Sequence, residues 1–193
     1  MRNAEFDKEK VLRSAMNAFM NKGYANTSMQ DLKKATGLHP GSIYCAFENK
    51  RGLLLEALEQ YRLDRKAEFD QFFSAKERTT DNLKSYLDNV VVECISCDNT
   101  QACLLTKALN ETAEQDIEIQ RIISNNLSML QQAFAEKFEQ VKKEKDISVE
   151  KDSEHLARYF LMGIYGLRTF AQTHPKPEVL AQLAEQLYQD VLR

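Results

Sequence analysis

The sequence predicts an all-helical fold, on three observations. Apolar residues return every third or fourth position over long stretches, the spacing of one helix face. Among 193 residues there are only six glycines and three prolines, too little turn chemistry for a fold of many strands. Gly23, Gly37, Pro40, Pro175 and Pro177 fall between the periodic stretches, where helices stop and start. A chain of this length holds one good-sized core or two small ones, and about nine helices are expected.

The first stripe is Phe6, Val11, Leu12, Ala15, Met16, Phe19 and Met20, a helix from about Asp7 to Lys22 with Asp7 as N-cap and Gly23 as its stop. A second, short helix begins near Thr27 or Ser28, whose hydroxyls suit a cap, and ends at Gly37; Asp31 in its first turn favours the helix dipole. Pro40 suits the first position of a third helix reaching Ala46 or Phe47. Leu32, Ala35, Leu38, Ile43 and Phe47 are the expected core between these two short helices. Asn49 caps a long fourth helix carrying Leu53, Leu54, Ala57, Leu58, Tyr61, Phe69, Phe72 and Phe73. After a polar linker at Lys76–Asp81, helices are expected at 81–96, 102–109 and 116–143, with a break at 97–100 and a solvated charge run at 142–146. The stretch 156–171 is apolar almost all round, with Gly163 and Gly166 allowing close helix contact, and the last helix repeats Val179/Leu180, Leu183/Ala184, Leu187/Tyr188 and Val191/Leu192. A helix apolar on every side must be covered on every side, and in a chain this size a second subunit is the expected cover.

Charge is uneven. Eight Lys/Arg against five Asp/Glu leave residues 1–50 at +3, while the whole chain is −3, so the remainder carries −6. A basic end on an acidic body fits a surface for nucleic acid at that end. No apolar run is long enough to span a membrane, and the charged opening MRNAEFDKEK lacks the apolar stretch of a secretory signal. Cys45, Cys94, Cys97 and Cys103 are therefore expected in a reducing cytoplasm, outside any disulfide framework.

Two short helices joined by a tight glycine-containing turn make a helix-turn-helix, whose second helix enters the major groove. At residues 24–55 the motif order becomes specific: Gly23-Tyr24, Thr27-Ser28-Met29-Gln30-Asp31-Leu32, Ala35-Thr36-Gly37-Leu38, Gly41-Ser42-Ile43-Tyr44, Phe47, Lys50 and Leu53-Leu54. This string closely resembles the N-terminal domain of TetR-family regulators. The resemblance implies a DNA-binding head at 1–50 and, at 51–193, a helical body that binds an effector and dimerises through about 151–193. Ser28, Ser42, Tyr44 and Lys50 match positions where the family contacts DNA, chiefly phosphates, which position a protein without reading sequence. Ser28 also reads as a simple helix cap, and Lys50 as an exposed charge. Base reading is expected from His39, Gly41 and Ser42, with Cys45 on the same helix. The chain departs from the common pattern at His39-Pro40, where Ser-Lys is frequent, and at Cys45-Ala46, where an aromatic-His pair is frequent. An operator is therefore not transferable from relatives.

The implied effector pocket draws on Phe69, Phe73, Tyr86, Val90, Cys103, Met129, Tyr159 and Tyr165, a set suited to an apolar or aromatic small molecule. The cysteine cluster at 94–103 has alternative readings. Zinc wants four ligands and finds no nearby His. A thioredoxin-like site wants a strand feeding a helix. Cys103 lies in the stretch Ala102–Lys107, which resembles the Gly-Cys-Leu start of a body helix in the family, where some members sense electrophiles; the simpler reading is a small buried apolar residue. The expected function is a transcriptional repressor released from a palindromic operator by its effector, with an activator as the alternative; no cofactor is implied. An enzyme, such as a helical thiol oxidoreductase, lacks a catalytic constellation, since His39, His155 and His174 are scattered and no phosphate loop or metal pattern is visible. A helical adaptor would show no binding to DNA at any salt concentration.

Overall fold

The computed structural model describes residues 6–74, 77–96, 108 and 116–193. The described residues form eight helices and no strand: α1 (Lys8–Lys22), α2 (Met29–Thr36), α3 (Pro40–Phe47), α4 (Lys50–Phe72), α5 (Thr79–Ser96), α6 (Ile117–Lys143), α7 (Ser153–Ala171) and α8 (Pro177–Leu192). They group into two compact units, one from residues within 1–66 and 101–123, the other from residues within 67–100 and 124–193. The helix expected at 102–109 and the break at 97–100 lie outside the described residues, Ala108 excepted. Helix α5 starts at Thr79, inside the segment expected to be linker, because the Glu144 carboxylate accepts from both the Thr79 backbone N–H (3.0 Å) and its hydroxyl (2.8 Å).

In the first unit each boundary has a local cause. The Asp7 carboxylate accepts from the Lys10 N–H and starts α1; Gly23, at φ 83°, ends it with its N–H on the Phe19 carbonyl. Helix α1 buries Val11, Leu12, Ala15, Met16, Phe19 and Met20. Leu32 of α2 and Ile43 and Phe47 of α3 are likewise buried, as are Leu53, Leu54, Ala57, Leu58 and Tyr61 of α4. Each of the Val, Leu, Ile, Phe and Met side chains among them contributes about 1.5–3 kcal/mol by leaving water, and each alanine methyl less. Ala35 is exposed and Leu38 only half-buried, unlike the expectation that both are core. A two-turn helix offers one inward rank, and Leu32 fills it.

The two corners around α3 are tightly made. Gly37 closes α2 in the left-handed region (φ 74°) and donates to the Lys33 carbonyl, a conformation that strains any residue bearing a Cβ. At the far end Glu48 adopts φ 64°, and the Asn49 carboxamide oxygen accepts from the Gly52 N–H (2.9 Å) to open α4. A Cβ on Gly52 would lie 2.1 Å from the Phe47 carbonyl oxygen, so only glycine lets α4 pass this close to the end of α3. Between α1 and α4, Arg13 grips the Asp64 carboxylate with two N–H donors (2.9 and 2.8 Å).

The second unit holds the larger core. Phe69, Tyr86, Leu87, Val90, Phe134, Phe138, Val141, Phe160, Leu161 and Ile164 are buried in it together with Leu180, Leu187 and Val191. Helices α7 and α8 meet at Gly163, where a Cβ would stand 2.3 Å from a Leu187 methyl. Arg168 donates to Glu93 (2.9 Å) and the Tyr159 hydroxyl to Asp190 (3.1 Å). The opposite side of α7 is open: Met162 is 62% exposed, Phe170 40%, and Gly166 has nothing within 4 Å of where its Cβ would sit.

Candidate nucleic-acid interface

Helix α3 has two unlike faces. Ile43 and Phe47 are fully buried, and on the other side His39, Gly41, Tyr44, Cys45 and Ala46 are exposed, with Ser42 half-buried between them. This follows from the helical period: four residues separate 43 from 47, so 41, 44 and 45 must point away. His39 is the N-cap by position, yet its ring makes no capping bond, which leaves the imidazole available at the helix start. Gly41 has an ordinary φ, and nothing lies within 4 Å of where its Cβ would be. Tyr44 is 51% exposed, an unusual placement for a large ring that has a core beside it.

Ser28 sits at the start of the neighbouring helix in a capping box. Its hydroxyl accepts from the Asp31 N–H (3.2 Å) and donates to the Asp31 carboxylate (2.7 Å), which also accepts from the Ser28 N–H (2.9 Å). Lys22 bonds the same carboxylate and, with the two Ser28 donors, holds Asp31 far below the usual carboxylate range. The one acid of α2 is thus locally neutralised, and the free N–H groups of that helix start keep their attraction for an anion. At the other end of α2, Lys34 is exposed and Lys33 half-buried, two cations adjoining the α2–α3 turn that were not singled out from the sequence.

Lys50 is placed differently from a free phosphate contact. Its ammonium donates to the carbonyls of Tyr24 (2.9 Å), Thr27 (3.0 Å) and, at 3.4 Å, Ala25, and lies 4.5 Å from the centre of the Tyr24 ring. It ties down the loop that leads into Ser28. The next residue, Arg51, forks onto Asp116 (2.5 and 3.0 Å) and reaches Glu118 (2.6 Å). The Arg51 hydrogen bond, joined by the Ile119 N–H, draws Asp116 down to about 2.

Of the residues expected around an effector, Phe69, Phe73 and Tyr86 do converge. Ring centres are 4.5 Å apart for Phe69–Phe73 and 6.2 Å for Phe69–Tyr86, and Phe134 stands edge-on to all three. Val90 is buried one turn along from Tyr86. Met129 does not join them: it is 55% exposed, because the inward rank of α6 runs through 123, 126, 130 and 134. Tyr159 is engaged with Asp190, Tyr165 is half-buried on α7, and Cys103 lies outside the described residues.

With this geometry in place, comparison with known proteins is decisive for the head. Residues 11–57 match the family described as bacterial regulatory proteins, tetR family. Residues 11–57 thus carry a tetR-family DNA-binding domain. An uncharacterised helix-turn-helix transcriptional regulator of Bacillus subtilis, YezE, is 28% identical over 159 residues, 82% of each chain. The helix-turn-helix transcriptional repressor ComR of Escherichia coli is 25% identical over 181 residues, 93% of this chain and 86% of its own. Among solved structures, a cysteine mutant of the TetR-family regulator CifR complexed with a 26-base-pair operator is 25% identical, with TM-score 0.84 over 97% of this chain and 98% of that one. A TetR-family regulator from Agrobacterium tumefaciens shares the fold at 16% identity, TM-score 0.85, covering 96% and 97%. The chain is thus a transcriptional regulator with a DNA-binding domain, and tetR-family proteins are not enzymes. Among the described residues no helix is long and apolar enough to cross a membrane.

Proposed function

We propose that this chain is a cytoplasmic repressor that grips a palindromic operator as a homodimer and is released by a small, largely apolar effector. The observation that carries the DNA role is the split character of α3: Ile43 and Phe47 anchor it, and His39, Gly41, Ser42, Tyr44 and Cys45 face outward on a helix of the right length to enter a major groove. Ser28 adds a phosphate contact at the start of α2, and Lys50 supports it by fixing the 24–27 loop rather than by touching the duplex. Functionally the chain divides into a head at 1–50 and a body at 51–193. Repression is favoured by the likeness to ComR, and an operator partner by the likeness to CifR in its DNA complex.

The homodimer reading rests on α7 and α8. Met162, Gly166 and Phe170 of α7, with Val179 and Leu183 of α8, expose an apolar surface that a monomer would keep wet. An exposed glycine inside a helix costs about 0.5–1 kcal/mol relative to alanine; Gly166 makes sense where another helix must come close. The effector is expected to act on an equilibrium between dimers able and unable to hold DNA, shifting it only by its difference in affinity for the two. The test is selection of DNA fragments by the purified chain, followed by anisotropy titration across salt concentrations. A two-fold symmetric site whose affinity falls steeply as salt rises supports the reading. Salt-insensitive binding, or none at low salt, ends it.

A further inference from the structure

Helix α6 presents an inward rank of Ile119, Ile123, Asn126, Leu130, Phe134, Phe138 and Val141, spaced by three and four. Six of the seven are apolar. Asn126 is the exception, only 8% exposed, and its amide nitrogen has no hydrogen-bond partner among the described residues. Burying such a donor unmet is a standing penalty, and leucine, of nearly the same shape, would avoid it. Among the described residues no group answers for this amide.

The surroundings limit what could meet it. Residues 122–135 carry no charged side chain, so the stretch of α6 from one turn before Asn126 to more than two turns after it offers no cation. An anionic ligand placed there would find no counter-charge on this stretch of α6, and burying an unpaired charge is costly. A donor N–H amid apolar side chains instead matches an uncharged molecule with one acceptor oxygen, the usual composition of a small-molecule site: mostly apolar, with few fixed polar groups. We infer that Asn126 is the polar anchor of the effector, donating its amide N–H to the carbonyl oxygen of a neutral, hydrophobic ligand. This rests on reading the body as effector-binding, and it adds the ligand's chemical class and the residue that selects it.

The experiment compares the wild-type chain with Asn126→Leu by thermal unfolding, alone and with equal millimolar acetophenone, ethylbenzene or benzoate. Without probe, Asn126→Leu is expected to raise Tm by about 2–4 °C, since the unmet donor is gone. Acetophenone should raise the wild-type Tm at least about twice as much as ethylbenzene, its counterpart lacking the carbonyl, and benzoate should do nothing. In Asn126→Leu that preference should vanish. Should Asn126→Leu lower Tm without probe, the amide is partnered by a structural water and the inference falls. It falls equally if acetophenone and ethylbenzene act alike on the wild type, if neither acts, or if the variant keeps the preference. Operator binding is scored separately, so failure of the DNA-regulator reading shows there and not in the thermal series.

Discussion

Replacing Gly41 by alanine separates what the chain needs from what its DNA partner needs. In the free chain the new methyl meets no atom within 4 Å and the backbone is in ordinary helical territory. Alanine is a better helix residue by about 0.5–1 kcal/mol. For a domain of this size that raises Tm by about 1–4 °C. On DNA the sign reverses. If the start of α3 lies against base edges, the methyl takes up space that the duplex occupies, and overpacking costs about 1–3 kcal/mol at each head. At about 1.4 kcal/mol per factor of ten, this is a roughly 5- to 150-fold loss per half-site, felt twice by a dimer. Anisotropy titration of the selected fragment at fixed salt measures it, alongside calorimetry of the free protein. The slope of log affinity against log salt should stay unchanged, since no phosphate contact is altered. A Tm that rises while operator affinity holds or improves would refute the placement of Gly41 against DNA.

Three further outcomes are expected. Lys50→Met strips a donor from the Tyr24 and Thr27 carbonyls and should cost about 1–3 kcal/mol in urea unfolding; operator binding weakens, but its salt slope persists, whereas loss of a direct phosphate contact would lower that slope by about one per head. Asp116 titrates below its ordinary value because Arg51 bonds it, so its contribution to stability is complete above about pH 4 and lost as pH falls towards 2; Asp116→Asn should flatten that stretch of the stability–pH curve, and an unchanged curve would remove the ion pair from the account. Met162→Glu places a charge on the exposed face of α7 and should halve the mass seen by light scattering, with operator affinity falling too; a persistent dimer would put the interface elsewhere.

Helices α1, α2 and α3 were legible as to start and stop, because their boundaries depend on residues within a few places of each other. Asp7, Ser28, Gly23, Gly37 and Pro40 each act through the backbone immediately beside them. The outward residues of α3 were legible for the same reason, since Ile43 and Phe47 set the phase of the helix. Asn126 does carry a signal in the sequence, as the polar member of an otherwise apolar three-and-four rank. Gly52 carried no local signal, because its necessity comes from the carbonyl of Phe47 on a different helix.

Local chemistry in the sequence thus determined the helical class, the caps, the helix-turn-helix and the tetR-family likeness of the head, because helix periodicity and capping act over one or two turns. The tertiary structure decided what depends on distant partners. It showed that Lys50 serves the 24–27 carbonyls, that Arg51 answers to Asp116 and Glu118, and that Met129 faces out. It also distinguished Gly163, filled by Leu187, from Gly166, open to the outside. A side chain's local spacing states which way it points, but only the packed fold supplies what it meets there.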